Sequence, residues 1–148
     1  MQITEASAAD STRCAEIQRA ARARMRYLPS LHTPEEDRIW MKSVVFARGR
    51  VWVAQCERRV VGFAALVEGM LVALYVEPDS QRHGAGSALL QRAKAASPEG
   101  FALWVFQPNH GAIRFYERHG FKTVRETGGS GNEERVPDRL MRWQPDRP

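Results

Sequence analysis

The sequence predicts a mixed α/β fold in one domain over residues 1–148. Three runs rich in β-branched and aromatic residues follow one another closely: "VWVAQC" (Val51–Cys56), "RVVGFAALV" (Arg59–Val67) and "MLVALYVE" (Met70–Glu77). Their linkers, Glu57-Arg58 and Glu68-Gly69, are short enough for hairpins, so the three strands should be antiparallel neighbours. Helical and β-rich segments then alternate through "FALWVF" (Phe101–Phe106), the order of an α/β domain. The length allows one real core, and 43% hydrophobic with 26% charged residues gives no sign of disorder.

Taken in order, Gln2 to Glu5 is a short strand. A first helix runs from about Ala8 to Arg26, with Ile17 and Met25 on its apolar side, and Pro29 breaks it. Thr33 is an N-cap, Pro34 suits the first helical position and Glu36 completes a capping box, so "TPEEDRIWMKSVVFA" is a second helix. Ile39, Trp40, Val44 and Val45 supply its apolar stripe, and Gly49 ends it. The run from Met70 is apolar almost throughout, as a central strand covered on both faces would be. Pro78 and Asp79 stop it. A helix from Gly84 to about Ala96 follows, then the turn "SPEG", the strand "FALWVF", and a helix from about His110 to His119 with Gly120 as its stop. The tail "KTVRETGGSGNEERVPDRLMRW" forms two strands around a Gly-rich loop. Trp40, Trp52, Trp104 and Trp143 are expected in the core.

Charge and cysteine usage narrow the partners. The net charge is +5 and the pI about 9.8. Basic chains often bind polyanions, and a nucleic-acid-binding protein is the reading that charge alone favours. Here, however, the basic residues are dispersed and nearly all arginine. Arg19, Arg22 and Arg26 share a helix face, which reads as solvated because no aromatic platform or zinc motif accompanies it. Nucleic acid is therefore not expected as a partner, while a polyphosphate cofactor suits the mild positive charge. No apolar stretch would span a bilayer, so no membrane partner is expected. "MQITEASAADSTRC" lacks the regions of a signal peptide, which makes a cytoplasmic location the expectation. Cys14 and Cys56 form no CxxC, so neither a metal site nor a disulfide framework is indicated.

The stretch "QRHGAGSALL" (Gln81–Leu90) carries the first functional signal. It opens a helix, where unpaired N–H groups and a partial positive charge suit an anion. Gly84 and Gly86 lack a Cβ and would let a phosphate reach the backbone. Alone, the pattern also fits an ordinary helix start. A Walker A loop is excluded because no lysine stands at the required place. A dinucleotide fingerprint is excluded because the third glycine is missing and three antiparallel strands come first.

The order of three motifs, "VVGFAALV", "LYVEPDSQRHGAGSALL" and "NHGAIRFYERHGF", resembles the GNAT superfamily of N-acetyltransferases over roughly Val51 to Phe121. The resemblance implies a strongly twisted, mostly antiparallel sheet with helices on both faces. It implies acetyl transfer from acetyl-CoA to a primary amine by direct attack in a ternary complex, with no metal. The loop Gln81, Arg82, His83, Gly84, Ala85, Gly86 and Ser87 would hold the pyrophosphate, chiefly through the backbone from Arg82 to Ser87. Leu74, Tyr75 and Val76 would pair with the pantetheine arm like an added strand. The Val76 N–H would polarise the thioester carbonyl. Asn109 matches a pantetheine-contacting asparagine, and as a residue it is equally a helix N-cap. Tyr116 matches the tyrosine that protonates the departing thiolate, a role a phenol can perform; by spacing alone it belongs to a core face with Ala112, Phe115 and His119.

The general base is less clear. Some family members carry a carboxylate on the strand matching "FALWVF", and none is present here. Glu68 is one candidate, acting through water, and Glu77 another. The acceptor, a small-molecule or peptide amine, would lie between "RYLPSLHTPEE" and the C-terminal segment. Tyr27, Leu28, Leu31 and His32 would line it, with Glu133, Glu134 and Asp138 steering a cationic acceptor. The missing carboxylate keeps open a coenzyme A-binding module without turnover. The resemblance also allows a homodimer.

Overall fold

The computed structural model describes residues 1–81 and 83–146. Seven strands form one sheet in the order β1-β2-β3-β4-β5-β7-β6: β1 (Gln2–Glu5), β2 (Arg50–Cys56), β3 (Arg59–Val67), β4 (Met70–Val76), β5 (Phe101–Phe106), β6 (Lys122–Thr127) and β7 (Asp138–Trp143). All neighbours are antiparallel except β4 and β5. Helices α1 (Ser11–Ala23) and α2 (Pro34–Trp40) cover one face, and α3 (Ala85–Ala95) and α4 (His110–Arg118) the other. Alternation along β2 divides the two cores. Val51 and Val53 pack with Cys14, Ile17, Met41 and Val45, whereas Trp52 and Ala54 pack with Leu89, Leu90 and Ala93. Each fully buried aliphatic of this size stabilises the fold by about 1.5–3 kcal/mol. This is the mixed α/β architecture the sequence predicts.

Several elements differ in detail. The first helix begins as a 3-10 turn at Ala8–Asp10, and α1 stops at Ala23 rather than Arg26. Beyond Ala21 no buried apolar side chain remains to hold further helix against the sheet. Thr33 and Glu36 form the expected capping box, with Glu36 N–H donating to Thr33 Oγ1 at 3.1 Å and Thr33 N–H to Glu36 Oε1 at 2.8 Å. From Met41 to Phe46, however, the helix continues as a π turn. Its wider winding changes the phase of the apolar stripe. Met41 and Val45 are buried, while Ile39 is 56% and Trp40 39% exposed. Of the tryptophans, Trp52 is buried and Trp143 packs on Phe101 at 5.5 Å, but Trp104 is 42% exposed. β4 is not covered throughout either. Ala73 pairs with Ala65 and Leu71 with Leu66, so Val72 is a bulged extra residue and its side chain is exposed.

The functional geometry begins where β4 and β5 part. They pair only at Met70 and Ala102, and Ala102 N–H also donates to the Gly69 carbonyl at 3.1 Å. β5 then pairs with β7 along its whole length while β4 stays with β3, leaving a cleft between them. The far end of β4 is pinned by Glu77, which is buried. Its carboxylate accepts from Arg13 at 2.5 Å, from Arg59, and from the Ser80 hydroxyl at 2.7 Å. Burial alone would raise this carboxyl, but Ser80 and the two guanidiniums outweigh it and hold the pKa below the ordinary glutamate value. Glu77 therefore clamps α1, β3 and the strand end, and is not available as a base.

A group whose folded pKa is depressed stabilises above its unfolded value and loses that stabilisation as pH falls through the folded value. Glu77→Gln should accordingly cost about 1–2 kcal/mol near neutral pH, a modest figure because Arg59 is solvated. Thermal melts should show the gap between variant and wild type narrowing as pH falls below the ordinary glutamate range. A gap that does not narrow with acid would remove the clamp.

Candidate functional site

The β5-facing edge of β4 is a row of open backbone groups. Glu77 N–H donates to the Val61 carbonyl at 2.8 Å, which makes Gly62 and Val76 a non-hydrogen-bonded pair. Tyr75 thus spends its backbone groups on β3, while those of Leu74 and Val76 turn into the cleft. The Val76 carbonyl is taken by Gln81 Nε2 at 3.0 Å. The Val76 N–H faces the opening with no β5 partner among the described residues. Added backbone could pair along this edge.

At the end of the cleft, Gly84 caps α3 in the left-handed conformation, at φ +83°. Ala88 N–H is satisfied by the Gly84 carbonyl at 3.0 Å, so the N–H groups of Ala85, Gly86 and Ser87 have no partner within the helix. Arg82 lies outside the described residues, and the His83 side chain is exposed. A Cβ at Gly86 would meet the Phe115 ring at 3.8 Å, an ordinary contact, whereas at Gly84 there is space for one but the positive φ makes it strained. The Ser87 hydroxyl points to His119 Nε2, 3.3 Å away.

Helix α4 lines the other side of the cleft. Asn109 caps it, its Oδ1 accepting from Ala112 N–H at 3.2 Å. Tyr116 is partly buried, its ring 5.4 Å from Phe115 and 5.3 Å from Phe121. Burial first, and the Tyr75 phenol second, push its pKa well above the ordinary tyrosine value. The same two causes raise Tyr27. Tyr116 packs against the core under α3 and α4, and Tyr75 against the core under α1, on opposite faces of the sheet.

On the α1–α2 side a cavity of about 770 Å³ reaches β4 at Val72 and Tyr75. Leu28, Leu31 and His32 line it, and Glu133 and Glu134 of the β6–β7 loop stand opposite. Two ion pairs cross it: Arg22 to Glu134 at 2.9 Å and His32 to Glu133 at 2.9 Å. The hydrogen bond that His32 makes to Glu133, then the charge of that carboxylate, raises the His32 pKa and favours its charged form. Tyr27 sits deeper, edge-on to Phe106 at 6.1 Å, with a hydroxyl sealed from solvent and lacking a hydrogen-bond partner. Asp138 is buried beneath the loop, accepting from Thr127 and from Asn132 at 3.1 Å.

Other wall residues escape sequence reasoning: Gln18, Arg19, Arg22, Trp40, Val72 and the side chain of Tyr75. Arg19 and Arg22 correct the expectation of a solvated face, since Arg19 binds Asp37 at 2.8 Å and Arg22 binds Glu134 while lying 5.9 Å over Phe106. Their helical spacing is visible in the sequence; what Arg22 faces depends on a loop more than 100 residues away.

Glu68 is not brought to the site. It occupies the β3–β4 turn at φ +51°, exposed and paired with Arg48 at 2.5 Å. That is the opposite end of β4 from Val76, about 20 Å away at the rise of an extended strand. Cys14 and Cys56 are free thiols, and burial pushes Cys14 up to about 12, which leaves it un-ionised and poor as a nucleophile. No helix among the described residues is long and apolar enough to cross a membrane.

The assembly offers a strand edge, a helix N-terminus and a protonated phenol around one cleft, with a charged cavity against β4. Comparison with known proteins gives the family. Residues 47–123 match the family model described as an acetyltransferase (GNAT) domain. The chain is 32% identical over 104 residues to the peptidyl-lysine N-acetyltransferase YiaC of Escherichia coli, covering 70% of this chain and 69% of YiaC. It is 37% identical over 75 residues to the peptidyl-lysine N-acetyltransferase YjaB of Escherichia coli, half of each chain. The solution structure of apo YjaB superposes with a TM-score of 0.75 at 25% identity, covering 96% of both chains. The PaiA N-acetyltransferase of Thermoplasma acidophilum in complex with coenzyme A shares the fold, with a TM-score of 0.72 at 20% identity over 97% of this chain and 98% of PaiA. The chain belongs to the GNAT family and is an N-acetyltransferase.

Proposed function

We propose that the protein transfers the acetyl group of acetyl-CoA to a lysine side-chain amine of a peptide or protein, by direct attack in a ternary complex. The observation that carries this is the β4–β5 cleft, with the open N-terminus of α3 at its end and, against β4 at Val72 and Tyr75, a cavity walled by Glu133 and Glu134. The N–H groups of Ala85, Gly86 and Ser87, with the loop before them, hold the pyrophosphate. Leu74 and Val76 pair with the pantetheine arm, guided by Gln81 and Asn109. The Val76 N–H stabilises the oxyanion as the amine attacks. The C–S bond then breaks, and Tyr116 gives its proton to the sulfur. Two relatives named for peptidyl-lysine support the acceptor class.

The ammonium proton must leave before attack. The cavity carboxylates are already engaged: Glu36 in its capping box, Asp37 with Arg19, Glu133 with His32 and Glu134 with Arg22. Water in the cavity therefore carries the proton away. Incubation with acetyl-CoA and N-terminally blocked lysine peptides should release thiol and acetylate the lysine Nε. Turnover of free polyamines or amino acids, with none for any lysine peptide, would overturn the acceptor class.

The loop's contribution comes from its backbone. Gly84→Val forces a β-branched residue to φ +83° and should raise the KM for acetyl-CoA about tenfold or more. His83→Ala should change it less than about threefold, because the side chain is exposed. The reverse order in steady-state kinetics would move recognition from the backbone to the imidazole.

A further inference from the structure

The contact between Ser87 and His119 joins the cofactor loop to a residue that the proposed chemistry leaves unused. Ser87 is the third residue of α3, within the stretch whose N–H groups are open. His119 closes α4. Its ring packs on Phe115 at 4.5 Å, and its Nε2 lies 3.3 Å from Ser87 Oγ. The same Phe115 ring lies beneath Gly86. The charged groups facing the imidazole are cationic: Lys94 of α3, whose Nζ donates to the His119 carbonyl, and Arg118 of α4. Burial first, then these two charges, hold the imidazole below the ordinary histidine value, so at neutral pH it carries one N–H.

We infer that His119 is a cofactor-positioning residue that holds the Ser87 hydroxyl toward the pyrophosphate. The inference rests on the placement of that pyrophosphate at α3. A serine hydroxyl has one proton and two lone pairs. When the proton goes to a phosphate oxygen, Ser87 Oγ can only accept from the imidazole. His119 must then carry its hydrogen on Nε2 and donate it. The tilted Phe115 ring packs on the imidazole, and Lys94 holds the His119 backbone carbonyl, so the ring is placed with this donor toward Oγ. His119 touches neither substrate nor reacting atoms and acts through Ser87 alone.

The test is a double-mutant cycle on coenzyme A affinity, measured calorimetrically on the full chain. His119→Phe keeps a ring against Phe115 and should weaken binding about tenfold, as should Ser87→Ala. The double variant should be no weaker than either single one, because both remove the same interaction. His119→Gln, which can present an N–H, should recover part of the loss. Acetyl-pantetheine, which lacks the pyrophosphate, should be turned over by His119→Phe with kcat/KM unchanged, a result that damage to the fold would not give. Unchanged coenzyme A affinity in His119→Phe, independent losses that multiply in the double variant, or an equal loss with acetyl-pantetheine would each overturn the assignment. Failure of the wild type to bind coenzyme A would overturn the cofactor reading, and this role with it.

Discussion

Val76→Pro is expected to lower kcat by about 100- to 1,000-fold while leaving the protein folded. Proline inside a central strand normally breaks the ladder. Here the ladder does not use this N–H, because Gly62 and Val76 form a non-hydrogen-bonded pair and the neighbouring bond runs from Glu77 N–H to Val61. Tyr75, the residue before, is already extended, as a residue preceding proline prefers. Fixing φ near −65° costs about 1–3 kcal/mol of strain, which a domain of this size can bear. The loss should fall mainly on kcat, because the donor is aimed at charge that develops only as the thioester carbonyl becomes an oxyanion. Val76→Ala keeps the N–H and should stay within about threefold of the wild-type rate, despite some loss of packing. Steady-state kinetics beside a thermal melt decide the matter. A folded Val76→Pro protein with kcat within about tenfold of wild type would move the oxyanion donor elsewhere.

This backbone role also shows where sequence reasoning succeeds and where it stops. Hairpin lengths, the glycine pair and the caps at Thr33 and Asn109 are local signals, and each lands within a residue or two of its place. The β4–β5 divergence has no local signature. It arises because β5 pairs with β7, a strand 32 residues beyond its own end, in preference to β4. The cavity between α1 and the β6–β7 loop is harder still to read. Its wall at Arg22 is set by Glu134, and the exposure of Trp40 follows from a π turn that the apolar pattern does not encode. Glu68 illustrates the converse. A carboxylate close in sequence to β4 sits at the wrong end of it, since an extended strand separates neighbours by about 3.3 Å per residue.

Tyr116→Phe is expected to reduce kcat about 100-fold with the KM for acetyl-CoA nearly unchanged. The ring contacts with Phe115 and Phe121 survive the substitution, so stability should change little and only the hydroxyl is removed. A purely packing role predicts no kinetic loss, which makes this variant a direct choice between core residue and acid. The pH profile adds a second constraint. The acid works in its protonated form, so activity would fall as pH rises through its pKa. Burial and Tyr75 push that pKa above the ordinary tyrosine value of 10.0, so Tyr116 contributes no alkaline limb below about pH 10. A decline in wild-type kcat between about pH 7 and 9 must then belong to another group. The leaving group supplies the last discrimination. An acetyl thioester whose thiol departs as a stabilised anion needs no proton at sulfur, so it should close most of the gap between Tyr116→Phe and wild type. An undiminished gap with that donor would mean that the hydroxyl positions the thioester and does not protonate it.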